Sequence, residues 1–145
     1  EVLIRERGSN AEFGLRHAQL LQEAKSVFVK RDFEHALRLY TRAFAMLRVR
    51  GNHEFDDALE GTILHNMASC LHYLDELNEA QEWYTRAISS FRVIRTSRMD
   101  RLVNGDVNER RIQFASERMH LAAQGKQPKW EMLSGGGSKS ELKDD

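Results

Sequence analysis

Four side chains in one short stretch invite a chemical reading: His65, Ser69, Cys70 and His72 fall within eight residues. His65 and His72 lie two helical turns apart on one face, and His120 could approach them. Zinc ligands on a helix usually stand three or four residues apart and are backed by acids. No cysteine pair or His-x-x-x-His accompanies these histidines, so they are read as groove or surface residues, with no metal and no cofactor. Cys70 is the single cysteine of the chain, and on an amphipathic helix a buried thiol outweighs a nucleophile. Glycine-rich phosphate loops, a Gly-x-Ser-x-Gly elbow and His-Glu-x-x-His are all missing from the sequence. The expectation is a protein that is not an enzyme.

The remaining chemistry is charge. Eight arginines (86, 92, 95, 98, 101, 110, 111 and 118) crowd residues 86–118 against Asp100, Asp106, Glu109 and Glu117. Such an edge could meet RNA or an acidic segment. Its only aromatic residues besides, Phe91 and Phe114, read as core, so a nucleic-acid partner is the weaker reading. Lysine plus arginine number 22 and aspartate plus glutamate 22, which gives a formal charge of zero. No global field therefore favours nucleic acid or an anionic membrane. No apolar run approaches the roughly 20 residues that span a bilayer, and no signal-peptide pattern opens the sequence. With one cysteine, a reducing compartment is expected, the cytoplasm or else the nucleus.

The elements that must position these residues are helices. With 41% hydrophobic and 30% charged residues and one proline in 145, long stretches are free of helix breakers. From about Ala11, Leu20, Ala24, Val27 and Phe28 form a stripe at three-and-four spacing. Arg31-Asp32 turns the chain, and Asp32 can cap a second helix over 33–49. A third is expected over 55–74, with Ile63, Leu64, Met67, Ala68 and Leu71 inward. Asp75-Glu76 leads into a fourth that ends near 94. A fifth starts at Gly105-Asp106 and stops at Gln124-Gly125, and Pro128 to Leu133 reads as the opening of a sixth.

Two of these hairpins repeat each other. Ala36, Tyr40 and Ala43 lie over Ala80, Tyr84 and Ala87, 44 residues later. This resembles the tetratricopeptide repeat, in which small residues sit where two helices touch and large ones between them, with a usual period of about 34. The extra residues fall near 51–60. Such an insertion, together with the run Leu64-His65-Asn66-Met67-Ala68-Ser69-Cys70-Leu71, is distantly similar to the domains of immunophilin-type co-chaperones. The resemblance covers about residues 17–95.

What the resemblance implies is an all-α fold of stacked antiparallel helix pairs in a right-handed superhelix, with a C-terminal capping helix. Repeats would span about 17–50 and 61–94, and a capping or partial third repeat 105–133, within a domain over 11–133. It also implies a scaffold function: a concave groove that holds a peptide or tail of another protein, acidic or C-terminal. Groove positions then fall on Lys25, His65, Asn66, Ser69, His72, Tyr73 and Arg110. Asn66 would pair with peptide amides, Lys25 and Arg110 would attract a carboxylate, and His72 and Tyr73 would form a flat wall. Only Asn66 and one arginine match the family's chaperone-tail clamp, so that clamp is read as degraded. Self-association into a homo-oligomer is the alternative.

Both ends differ in character. Gly8-Ser9 has the composition of a cloning junction or a loose turn, and residues 1–10 are read as an N-terminal arm, while Val2, Leu3 and Ile4 leave an extra half-helix open. Gly135-Gly136-Gly137-Ser138 has that of a flexible linker, native or engineered. Residues 139–145 then form a short charged tail that could serve as a tethered ligand.

Overall fold

The computed structural model describes residues 2–50, 58–94, 102 and 107–128. Among these residues the architecture is all-helical. It comprises α1 (Val2–Val29), α2 (Phe33–Arg50), α3 (Leu59–Tyr73), α4 (Leu77–Arg92) and α5 (Val107–Ala123). The expected arm over residues 1–10 is instead helical backbone from Val2, continuous with α1. Gly8 costs a helix interior only about 1 kcal/mol, which a long helix free of proline absorbs. The expected tail and sixth helix, apart from the buried Pro128, lie outside the described residues.

Consecutive helices pack against each other in chain order, and the cross-contacts fix their directions. His17 near the middle of α1 bonds the carbonyl of Ala43 in α2. Arg48 reaches Glu60 at the start of α3, and Gly61 faces Phe91 at the end of α4. Asn108 at the start of α5 donates to the carbonyl of Phe91, while Thr85 reaches Met119 further along. Each neighbour is therefore antiparallel to the last, and α1, α3 and α5 run the same way.

The turns that close α1, α3 and α5 are copies of one device. After α1, the Asp32 N–H donates to the Val27 carbonyl at 3.0 Å and the Arg31 N–H to Phe28 at 2.8 Å. After α3, Glu76 donates to Leu71 and Asp75 to His72; after α5, Lys126 donates to Leu121 and Gly125 to Ala122. Arg31, Asp75 and Gly125 have φ of 66°, 66° and 72°. This is the Schellman motif, in which one left-handed residue lets the last carbonyls of a helix find donors. Asp32 then caps α2 as expected, accepting from the His35 N–H.

The repeated residues form the core. Ala36, Ala43, Ala80, Tyr84 and Ala87 have no exposed surface, and Tyr40 is buried. Methyl-sized side chains let the helix axes approach, and the two tyrosines fill the space between. Rings also join alternate helices: Phe28 of α1 meets Tyr73 of α3 edge-on at 6.0 Å, and Phe44 of α2 meets Trp83 of α4 at 6.1 Å. His65 of α3 stacks on Phe114 of α5 at 5.1 Å. α3 is central, and every residue from Ile63 to His72 is buried. Only its ends, at Leu59, Glu60, Thr62 and Tyr73, are partly exposed.

Candidate functional site

The polar residues of α3 converge on Tyr84. Its hydroxyl lies 3.0 Å from His72 Nδ1 and 3.4 Å from Ser69 Oγ. His72 Nε2 lies 2.7 Å from the backbone carbonyl of Lys126, in the turn after α5. A carbonyl can only accept, so Nε2 carries the ring proton. Burial holds the His72 pKa below its ordinary value, which leaves Nδ1 bare. The Tyr84 hydroxyl therefore donates to Nδ1 and accepts from the Arg118 guanidinium, the charged group beside it. One chain of bonds ties α4 to α3 and α3 to the turn that ends α5. Burial pushes the Tyr84 phenol pKa up, so this hydroxyl keeps its proton.

His65 stands one layer further along α3. Its ring lies between Phe114, 5.1 Å away and nearly parallel, and Tyr84, 5.3 Å away and edge-on. Neither ring nitrogen has a hydrogen-bond partner. Burial, then the charge of Arg118, then His72 drive its pKa well below the usual histidine value. A histidine so placed is a neutral flat ring that carries two unmet polar atoms.

Arg118 comes from α5, where its guanidinium lies 5.1 Å over the Phe114 ring with only 3% of the residue exposed. The three equivalent turns explain how it arrives there. Arg31, Asp75 and Gly125 place Ala24, Ala68 and Arg118 at the same seven-residue distance before them. Where the first two units carry the alanine of the close contact, the third carries an arginine that reaches into the stack.

This arrangement corrects the expected groove. Among the seven site residues, His65, Ser69 and His72 have no exposed surface and Asn66 is 5% exposed, because α4 and α5 cover the α3 face they occupy. Asn66 interacts with the Tyr40 phenol, towards α2 rather than a peptide. Tyr73 is half-buried, stacked on Phe33 at 4.5 Å and 7°. Lys25 and Arg110 are exposed, but they do not form a pair. The aromatic contacts of Phe28 and Phe33 with Tyr73 level the first two turns. The His72–Lys126 and Gln127–Asp75 bonds level the second and third. Lys25 lies six residues before its turn and Arg110 fifteen before its own. At about 1.5 Å per residue they are staggered by roughly 13 Å along the helix direction, too far to hold one carboxylate.

The arginine edge is also divided. Arg86 and Arg92 are exposed, with Arg86 stacked 4.4 Å over Trp83. Arg111 is half-buried and Arg118 buried, so the last turns of this edge belong to the interior. Arg95, Arg98 and Arg101 lie outside the described residues. Cys70 has no exposed surface, and burial raises its thiol pKa. No group of three or more His, Cys, Asp or Glu among the described residues could hold a metal ion. None of their helices is long and apolar enough to cross a membrane.

Sequence reasoning missed Tyr84 and Arg118 as partners of the α3 polar row. The available signal was Gly125: setting it over Arg31 and Asp75 fixes the register of α5. Compared with known proteins, the chain matches no family model, no curated protein and no solved structure.

Proposed function

We propose that the chain is a tetratricopeptide-like, non-catalytic interaction module that holds a peptide segment of a partner against the α1–α3–α5 side of its stack. The observation that carries this reading is the threefold recurrence of one turn, combined with the Ala36/Tyr40/Ala43 and Ala80/Tyr84/Ala87 register. Repeated hairpins whose contacts run between neighbours make extended binding surfaces. The burial of His65, Ser69 and His72 moves the proposed contact to the positions that remain accessible. On α1 these are Gln22, Lys25 and Val29, with Tyr73 of α3 beside them, and Arg110 of α5 forms a separate cationic point. A carboxylate next to an apolar side chain would suit Lys25 beside Val29, one helical turn apart.

The test is peptide display selection against the full chain, followed by calorimetry on the selected peptides. Selected sequences should carry a carboxylate beside an apolar residue. Lys25→Glu should weaken them at least tenfold, and Arg92→Glu, on the outer helix α4, should leave them unchanged. Failure to select peptides, or equal sensitivity at both positions, refutes the assignment.

A further inference from the structure

We propose that α5 is an acid-released cover: it closes over the polar face of α3 while His65 and His72 are neutral, and proton uptake by that pair lifts it. The proposal stands on the packing of α5 and does not depend on what the accessible surface binds.

The geometry leaves the two rings no room for a second charge. Three contacts over the two rings come from α5 or its turn: Phe114 stacks on His65, Arg118 lies against Phe114, and the Lys126 carbonyl accepts from His72. The titratable and charged groups facing the pair are Arg118 from α5, Tyr84 from α4, Asp75 from the turn after α3, and each histidine toward the other. Burial opposes a charged His72 most strongly and Arg118 adds to it, outweighing the Lys126 carbonyl and Asp75, which favour the charge. A proton on His72 Nδ1 would set two cationic donors, His72 and Arg118, on the single Tyr84 oxygen. A proton on His65 would bring a cation beside Arg118 with no acceptor at either nitrogen.

Lifting α5 removes Phe114, Arg118 and the Lys126 carbonyl together and returns both rings to water. There each histidine has a pKa near about 6.5. The open form therefore binds up to two protons that the closed form refuses, and the opening equilibrium must grow as pH falls below that value. From pH 7.5 to 5.5 each histidine contributes at most about tenfold, and the pair at most about 100-fold. Between α1 and α2 the corresponding acid-sensitive group is His17 alone, which bonds the Ala43 carbonyl and has a pKa lowered by burial, so their opening grows by at most about tenfold over the same range.

Amide hydrogen exchange on the full chain at the two pH values, corrected for the intrinsic pH dependence of exchange, reads this directly. Opening of Val107–Ala123 should rise by more than tenfold and up to about 100-fold, ahead of the amides of α1 and α2. His65→Phe, which keeps the stack on Phe114, should cut the rise to about tenfold, and His72→Gln likewise. The double variant should abolish it. The proposal is overturned if α5 protection is the same at both pH values, if it falls in step with α1 and α2, or if the double variant keeps the acid response. Should the double variant fail to fold, the comparison of α5 with α1 and α2 in the unaltered chain and the single variants still decides.

Discussion

Two glycines in helix interiors make one substitution act with opposite signs. Gly14 lies within α1, and a Cβ built there meets nothing within 4 Å. Gly14→Ala should therefore add only the helix-propensity gain, about 1 kcal/mol of stability. Gly61 lies within α3, and a Cβ there would stand 2.5, 2.7 and 2.9 Å from Phe91 Cε1, Cδ1 and Cζ. Ordinary carbon contacts lie at about 3.5–4.0 Å, so the ring must recede by roughly 1 Å. Phe91 has no exposed surface, and its ring can move only by displacing its neighbours. Overpacking of this kind costs about 1–3 kcal/mol. Subtracting the propensity term common to both sites, the two alanine variants should differ by about 1–3 kcal/mol, with Gly61→Ala the less stable. Urea unfolding of the two variants beside the unaltered chain measures this. In a Phe91→Leu background the penalty should shrink by about 1 kcal/mol, the coupling expected of touching residues. If Gly61→Ala stabilises as much as Gly14→Ala, α4 does not cross α3 at Phe91 and the packing described above is wrong.

Three further outcomes are expected. His17, His65 and His72 all have pKa values lowered by burial, so the unfolded chain takes up protons that the folded chain refuses. Their contribution to stability is complete above a pH of about 6.5 and is lost as pH falls below it, at up to about 4 kcal/mol per pH unit for the three together; urea midpoints between pH 7.5 and 5.5 should fall steeply, and His17→Gln should lessen the slope. Arg31 adopts φ 66° with an exposed side chain, and Arg31→Gly should relieve left-handed strain and stabilise by up to about 1 kcal/mol, whereas a loss measured by thermal unfolding would contradict the turn. The Cys70 thiol is buried and its pKa raised, so a thiol-reactive dye should label it at the rate of opening rather than at the rate of a free thiol; fast labelling of the native chain would place it elsewhere.

The helices were legible because their signals are local. The Ala24–Phe28 stripe, the Asp32 cap and the inward set from Ile63 to Leu71 depend on periodicity within one element, and the structure buries or half-buries these apolar residues. The polar row of α3 was misread because its fate depends on what lies opposite. Position alone marks His65, Ser69 and His72 as one face, but only the arrival of Tyr84 and Arg118 from two later helices decides that this face is interior. Arg118 is the harder case. An arginine in a basic stretch reads as solvated, and its burial follows only from the register that Gly125 sets for α5. At Gly8-Ser9 local composition left a turn and a half-helix both open, and the backbone there is helical.

The zigzag of antiparallel neighbours, with α1, α3 and α5 closed by the same turn, also governs how the molecule would yield to force. Most contacts join helices adjacent in the chain, and a long-range bond such as that from His72 to the Lys126 carbonyl joins one hairpin only to the next. Pulled from its two ends, such a stack is loaded by peeling rather than by shear, so its interfaces separate in succession instead of breaking together. The same short connections let each hairpin close again before the next arrives, which favours quick refolding once tension is released. Under load it would give way from its edges and recover helix by helix.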